Sequence, residues 1–260
     1  MLEKDLNKVR RYELKYCITE SEAAAIRDYI QPLFSKDRNV PPGAVGYTVN
    51  NLYLDSPSLK FYWDVKFKRL TRVKPRMRFY GSELEDSIWL ELKYKHNGII
   101  WKKRRRIATE EWPGILEARQ IDRTEPLIKT HPDTFEEIVA VFGAEPIMHV
   151  RYFREPYVSD IDEYGRVTFD RQLRYRSAGG SYELRADDRD MTYYDDPQTT
   201  GSPDSPVILE IKVETIMPFW AVNIIRNFNL VQRGFSKYCY AIDRIGQFPA
   251  PQRIASAAFR

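Results

Sequence analysis

The chain has 260 residues, with 41 Lys+Arg against 37 Asp+Glu and a net charge of +4. Hydrophobic content of 43% and aromatic content of 13% exclude general disorder, and the length is ample for a sizeable core. No apolar run approaches the roughly 18–20 residues of a membrane span, and Met1-Leu2-Glu3-Lys4-Asp5 carries no apolar leader, so a cytoplasmic location is expected.

Strands dominate the predicted elements. Arg11–Ile18 alternates, with Arg11, Glu13 and Lys15 on one face and Tyr12, Leu14 and Tyr16 on the other. Thr19-Glu20-Ser21-Glu22 is a capping box that opens a helix with Ala23, Ile26, Ile30 and Leu33 on its apolar side. Residues 36–46 hold Pro41, Pro42, Gly43 and Gly46 and predict a loop before a strand at Tyr47–Leu54. Ser56-Pro57 predicts an N-cap with Pro at the first helical position, starting a short aromatic helix through Phe61, Tyr62 and Trp63.

Strands are predicted at Lys74–Tyr80, Ile88–Lys95 and Ile99–Ile107, the last two joined by the hairpin signal Asn97-Gly98. Residues 109–143 predict helix broken at Pro113, Pro126 and Pro132, with Asp133 capping the last piece and Glu136 three residues on. Strands return at Ile147–Val158 and Gly165–Arg174, and Tyr182–Ala186 predicts a further short one. Asp187–Pro206 predicts an exposed acidic loop, followed by a strand at Val207–Glu214. Pro218 opens a helix through Trp220, Ile224, Ile225 and Phe228, and Ser236 caps a last one at Lys237–Ile245. With no repeat and no linker, one α+β domain over 1–260 is expected.

The strand faces carry the argument. Arg76 and Arg78 oppose Met77 and Phe79; Glu91, Lys93 and Lys95 oppose Leu90, Leu92 and Tyr94. Five cations run together at Lys102–Arg106; placing Trp101 and Ile107 inward puts Lys102, Arg104 and Arg106 on the charged side. Arg151 lies between Val150 and Tyr152, Arg166 shares a parity with Asp170, and Glu210, Lys212 and Glu214 alternate with apolar residues. One such face is ordinarily solvated. Seven, rich in Arg with a minority of Glu, fit an antiparallel β-barrel tunnel with a charged lumen and helices packed outside. Counted on those faces, eleven cations stand against five anions, so the near-neutral total conceals a positive interior.

Converging Arg and Lys suit phosphate oxygens, and the few carboxylates suit Mg²⁺ or Mn²⁺ bridging protein and phosphate. A polyanion with several phosphates in a row is the implied ligand. Nucleic acid is not, because the interspersed Glu residues repel a phosphate backbone. Glycine-rich nucleotide fingerprints are absent, Cys17 and Cys239 are predicted to be reduced, and His96, His131 and His149 show no zinc spacing.

Eight short motifs follow one another in order: Glu13-Leu14-Lys15-Tyr16, Asn51-Leu52-Tyr53-Leu54-Asp55, Arg76-Met77-Arg78-Phe79-Tyr80-Gly81, Leu90-Glu91-Leu92-Lys93, the basic run 102–106, Arg166-Val167-Thr168-Phe169-Asp170, Leu209-Glu210-Ile211-Lys212 and Phe235-Ser236-Lys237-Tyr238. Over roughly residues 8–245 the chain resembles the VTC domain of polyphosphate polymerases, a branch of the triphosphate tunnel metalloenzyme superfamily. The resemblance implies transfer of the ATP γ-phosphoryl group to a growing inorganic polyphosphate chain, with Mn²⁺ or Mg²⁺ required. Carried over, Lys15, Arg76, Arg78, Lys93, Arg151 and Arg166 line the phosphate path. Arg104 and Arg106 match the basic pair after the hairpin, with Lys103 or Arg105 as alternatives for that role. Glu210 matches the metal-binding glutamate, with Glu13 beside it in the first-strand motif, and Lys237 matches the lysine of the C-terminal helix. The eukaryotic polymerases add an SPX-like region and a membrane anchor; neither is visible here, so a bare domain is expected.

Arg11 stands where the wider superfamily has a first glutamate, which implies fewer metal-binding carboxylates than in its hydrolases. A tunnel triphosphatase and a non-catalytic polyphosphate binder are the competing expectations. The bland alternative for Lys93 and Glu210, and for Glu13 and Glu91, is a cross-strand ion pair. His96, at the hairpin turn, is expected to be merely exposed.

Overall fold

The computed structural model describes residues 12–97, 99–117, 134–162, 164–194, 206–214 and 216–246. Arg11, Asp133 and the breaks expected at Pro126 and Pro132 lie outside them. Ten antiparallel strands form one curled sheet: β1 (Tyr12–Ile18), β2 (Phe34–Lys36), β3 (Tyr47–Asp55), β4 (Thr71–Tyr80), β5 (Ser87–His96), β6 (Ile99–Ala108), β7 (Glu145–Ser159), β8 (Arg166–Ser177), β9 (Thr192–Tyr193) and β10 (Val207–Val213). The main path runs β1-β10-β8-β7-β3-β4-β5-β6, with β2 added to β7 and β9 to β8.

Among the described residues six α-helices accompany it: α1 (Glu20–Ile30), α2 (Lys60–Lys66), α3 (Gly114–Glu117), α4 (Phe135–Phe142), α5 (Phe219–Asn227) and α6 (Lys237–Ile245). The tunnel architecture expected from the strand faces is present as a half-barrel with helices outside. Its curl is tight enough that Lys93 on β5, the seventh strand of the path, reaches Glu13 on β1, the first, at 2.6 Å.

The apolar strand faces build the outer core. Tyr16, Ile18, Val167, Phe169, Leu209 and Ile211 pack under α1 and α5 through Ala23, Ile26, Ile30, Trp220 and Ile224. Leu52, Met77, Phe79, Leu90, Leu92 and Ile107 pack under α4 through Phe135, Ile138 and Val139. A third cluster lies on the concave side, where α2 and α6 meet the sheet, around Tyr53, Tyr62, Met148, Tyr152, Tyr238 and Ile242. Each fully buried Leu, Ile, Phe or Met side chain contributes about 1.5–3 kcal/mol.

Caps fix where the helices begin. The Thr19/Glu22 box is formed as expected: Thr19 Oγ1 accepts from Glu22 N at 3.1 Å, and Glu22 accepts from Thr19 N at 2.7 Å. Ser56 Oγ accepts from Lys60 N at 3.0 Å at the start of α2, and the Asp55 carboxylate adds bonds from Phe61 N and Tyr62 N at 2.8 and 2.9 Å. Three local expectations are corrected. Pro57 lies outside the helix, and Leu59, at φ 55°, makes the turn into it. The α4 box is Thr134 with Glu137, one residue later than Asp133 and Glu136. Tyr182–Ala186 is an irregular strap rather than a strand, with Leu184 and Ala186 buried and Glu183 and Arg185 exposed, on the outer side of β7, where Arg151 donates to Ala186 O. The segment expected as an exposed loop from 187 is exposed at Asp187–Asp190 and at Thr192–Tyr193, which pair with β8 as β9, while Met191 and Tyr194 are buried; 195–205 lie outside the described residues.

Candidate functional site

The concave face is lined by alternate residues of successive strands. Register places Glu13 and Lys15 of β1 opposite Lys212 and Glu210 of β10. Glu210 in turn faces Thr168 of β8, and Asp170 faces Arg154 of β7. On the other wall, Tyr53 faces Arg76, and Arg76 faces Glu91, which faces Arg104. Nine cations (Lys15, Lys74, Arg76, Arg78, Lys93, Lys102, Arg154, Lys212 and Lys237) meet four carboxylates (Glu13, Glu91, Asp170 and Glu210), a surplus of five positive charges.

Two carboxylate hubs organise them. Glu91 is fully buried; it takes Arg76 at 2.7 and 2.9 Å, Lys102 at 3.1 Å and Arg78 at 3.5 Å. Burial opposes its charge, but the two guanidinium groups and Lys102 hold its carboxyl far below the usual carboxylate range. The second hub is Glu210 with Asp170. Arg154 grips Asp170 with two bonds of 2.6 and 2.7 Å, and Lys237 reaches Asp170 at 2.6 Å and Glu210 at 3.4 Å. Lys15 at 2.8 Å and Lys212 at 3.2 Å complete the shell around Glu210. Burial works against ionisation here too, yet Lys15, Lys237, Lys212 and Arg154 together hold Glu210 well below its ordinary value.

Tyr152 joins the hubs. Arg78 donates to its hydroxyl at 3.4 Å, while Lys237 Nζ and the Arg154 guanidinium lie 4.6 and 5.3 Å from its ring centre. Asn51 Oδ1 accepts from Arg78 Nε at 2.9 Å, and Tyr53 accepts from Arg76 at 3.0 Å. Burial alone raises the Tyr53 phenol, but Arg76, Arg78 and Lys74 overcome it and leave the phenol below its ordinary value.

Too few carboxylates are present for the lysines. Burial pulls Lys93 down to about 7, an effect that Glu13 only partly offsets and that Lys15 reinforces. Burial likewise brings Lys102 to about 8 and lowers Lys74, whose hydrogen bond goes to the neutral Ser236 Oγ at 2.8 Å.

Of the residues singled out in the sequence, Lys15, Arg76, Arg78, Lys93, Lys237, Glu13 and Glu210 converge on this surface. Arg151 does not. It occupies the opposite face of β7, where its guanidinium donates to Asn50 at 2.6 Å and to Ala186 O at 3.0 Å and pairs with Asp188. Alternation explains this: Val150 and Tyr152 face inward, so Arg151 faces out and Arg154 faces in.

Arg104 and Arg106 share the concave parity but sit on the exposed edge strand, Arg104 over the Trp89 ring at 4.4 Å and Arg106 bonded to Ser87 at 2.7 Å. Lys103 and Arg105 have the opposite parity, and Arg105 pairs with Glu136 outside. Arg166 lies at the rim, half-exposed, paired with Asp37 at 3.2 Å. His96 is exposed at its turn. Lys74, Arg154 and Tyr152 were not singled out. Lys74 could have been, since it shares a parity with Arg76 and Arg78.

The donor set fits a divalent ion of the Mg²⁺ type. Glu13 and Glu210 both reach the Lys15 ammonium, at 3.0 and 2.8 Å, so their oxygens already converge on one cation. Among the described residues no group of three or more His, Cys, Asp or Glu is positioned to hold a metal. Two hard carboxylates suit an ion that completes its shell with phosphate oxygens and water.

The profile of the VTC domain family matches residues 10–245. No curated protein sequence matches the chain. Among solved structures, a candidate adenylate cyclase from Bacillus halodurans is similar at a TM-score of 0.51 and 12% identity, over 92% of this chain and 98% of that one. A candidate adenylate cyclase from Vibrio parahaemolyticus follows at 0.47 and 9%, over 90% and 98%. A protein from Pyrococcus horikoshii follows at 0.44 and 11%, over 90% and 99%. At such identities the first of these speaks for the fold alone. Among the described residues no helix is long and apolar enough to cross a membrane.

Proposed function

The chain belongs to the VTC domain family, and from that premise we propose that it is a metal-dependent polyphosphate polymerase, transferring the γ-phosphoryl group of ATP to the end of an inorganic polyphosphate chain. The observation that carries this reading is the surplus of five cations on a concave face whose carboxylates are all ion-paired. Such a face is incomplete without anionic charge, and several phosphates in a row supply it.

Phosphoryl transfer asks for alignment and charge neutralisation more than for covalent help. Arg76, Arg78, Lys74 and Lys93 on one wall and Arg154, Lys15 and Lys237 on the other bind phosphate oxygens and hold donor and acceptor in line. A terminal oxygen of the polyphosphate chain forms the new bond to the γ-phosphorus. The bond from that phosphorus to the β,γ-bridging oxygen breaks, and its electrons leave with ADP. Arg76 and Arg78 neutralise the charge that gathers on the leaving oxygen. Glu210 and Glu13 would hold the divalent ion, which supplies Lewis-acid stabilisation of the phosphate oxygens when bound.

One observation favours transfer to phosphate over transfer to water. Cations hold Glu13, Glu91, Asp170 and Glu210 below their ordinary pKa values, against burial in each case. Carboxylates so depressed are poor general bases. A water nucleophile needs such a base, whereas a phosphate oxygen is already anionic.

Incubation of the protein with ATP and Mn²⁺, with free phosphate and long-chain polyphosphate both assayed, tests the proposal. Polymer accumulation is expected. Free phosphate alone points to a triphosphatase, and binding of polyphosphate without turnover points to a binding domain.

A further inference from the structure

Three consecutive residues tie the start of α6 into the concave face. Ser236 accepts from Lys74 at 2.8 Å, Lys237 reaches Asp170 at 2.6 Å, and the Tyr238 hydroxyl donates to Asp55 at 2.6 Å. Asp55 is fully buried, and its carboxylate also accepts from the backbone N–H groups of Ser56, Phe61 and Tyr62 at 2.7, 2.8 and 2.9 Å. Among the described residues no Lys or Arg forms a salt bridge with it. Burial raises its carboxyl to about 6 in spite of these hydrogen bonds.

A buried carboxylate without a cation is costly, and an apolar side chain of that volume would pack without the cost. What the carboxylate adds is direction. One set of oxygens fixes both the start of α2 and the phenol next to Lys237. The Tyr238 ring lies stacked on Tyr53, centroids 5.0 Å apart, and Tyr53 accepts from Arg76. Asp55 and Tyr238 therefore hold one end of the pocket wall without touching its charges.

We propose that Asp55 is a positioning residue: through Tyr238 it fixes the first turn of α6 and so aims Lys237 at bound phosphate. The inference rests on the phosphate-binding reading of Lys237. It accounts for the Asp that ends the Asn51–Asp55 motif and the Tyr that ends the Phe235–Tyr238 motif, neither of which lines the phosphate path.

A double-mutant cycle on the full chain tests it, with tripolyphosphate affinity measured by isothermal titration and folding checked by near-UV circular dichroism. Tyr238→Phe, which removes only the hydroxyl, is expected to weaken tripolyphosphate binding about tenfold, and Asp55→Asn at least as much. In a Lys237→Ala background, Tyr238→Phe is expected to have no further effect, because the aim of an absent ammonium cannot be spoiled. A general structural loss would multiply with the Lys237→Ala deficit instead.

Wild-type affinity in Tyr238→Phe, or multiplicative losses in the double variant, overturns the positioning role while leaving the phosphate reading intact. Wild-type affinity in Lys237→Ala overturns the phosphate reading of Lys237, and the positioning role with it. If Asp55→Asn does not fold, the Tyr238→Phe cycle decides alone.

Discussion

Glu91→Gln separates the stability of the concave face from its affinity. The glutamate is fully buried and neutralises Arg76, Arg78 and Lys102. Gln keeps the shape and one acceptor oxygen for Arg76 but removes the charge. Breaking a buried ion pair by removing one partner costs roughly 3–5 kcal/mol. The lower end applies here, because Lys102, already brought down to about 8, sheds its proton when the carboxylate no longer holds it. A loss of about 3 kcal/mol lowers the melting temperature of the empty protein by about 6–12 °C.

Binding should move the other way. A phosphate charge roughly 7 Å from Glu91 is repelled by about 2 kcal/mol at an effective dielectric of about 20. Loss of that repulsion tightens tripolyphosphate binding at least tenfold, and saturating ligand restores most of the lost melting temperature. Thermal melts with and without tripolyphosphate, with titration calorimetry, measure both quantities. Equal destabilisation with and without ligand, or unchanged affinity, would show that Glu91 does not share the concave face with bound phosphate and would refute the site assignment.

Arg78→Ala removes a buried guanidinium held by Asn51 and Tyr152, and loss of one charge-assisted contact is expected to weaken tripolyphosphate binding by about 10–150-fold in titration calorimetry. Arg151→Ala is expected to leave that affinity within twofold while lowering the urea midpoint, because its partners Asn50, Ala186 and Asp188 are all on the outer face; Arg154→Ala should do the reverse to affinity. Lys93 at about 7 and Lys102 at about 8 lose their charge as pH rises from 6.5 to 8.5, so affinity should fall across that window in pH-resolved titrations. Stability of the empty protein should respond oppositely: a lysine depressed in the folded state disfavours folding near pH 7, and that penalty fades as pH rises toward the ordinary lysine value, which denaturant midpoints at several pH values will read. Glu210→Ala is expected to abolish the Mn²⁺ dependence of polymer formation in the ATP assay.

The strand faces were legible because period-two alternation is fixed by backbone geometry and does not depend on what surrounds it. Arg76 with Arg78, Glu91 with Lys93, and Glu13 with Lys15 needed only that rule. It failed on β7, where both faces carry a mixture: Val150, Tyr152 and Arg154 point inward, His149, Arg151 and Glu155 outward. Nothing in that stretch alone says which parity faces the lumen, and the structure puts Arg154 rather than Arg151 on the concave side.

The β8 face changes for another reason. An irregularity opposite Arg151–Phe153, with Gln172 at φ 52°, reverses parity, so Asp170 and Tyr175 share a face although they are five apart. Asp55 is not legible in the sequence as an acceptor for α2, because its partners, Phe61 and Tyr62, are six and seven residues on, beyond the reach of a local capping motif.

The concave face also settles a question of design that its charge count raises. The fold could have been more stable with more acid: one further carboxylate beside Lys74, which among the described residues bonds to Ser236, would offset the burial that now depresses it. The same acid would occupy the position of a phosphate and repel the next one. On the proposed reading, the lowered Lys74, Lys93 and Lys102 are what a face that keeps cations for an external anion would show, at a cost to the empty protein. They distinguish this face from the outer arginine network, where Glu155 takes Arg27 and Arg171 at 2.6 Å each and overcomes its own burial. There the cations have permanent partners, so an arriving phosphate would have to break a pair to bind. On the concave face it finds in Lys74 an amine bonded to a neutral hydroxyl, and in Lys93 an amine that gains a proton when it arrives.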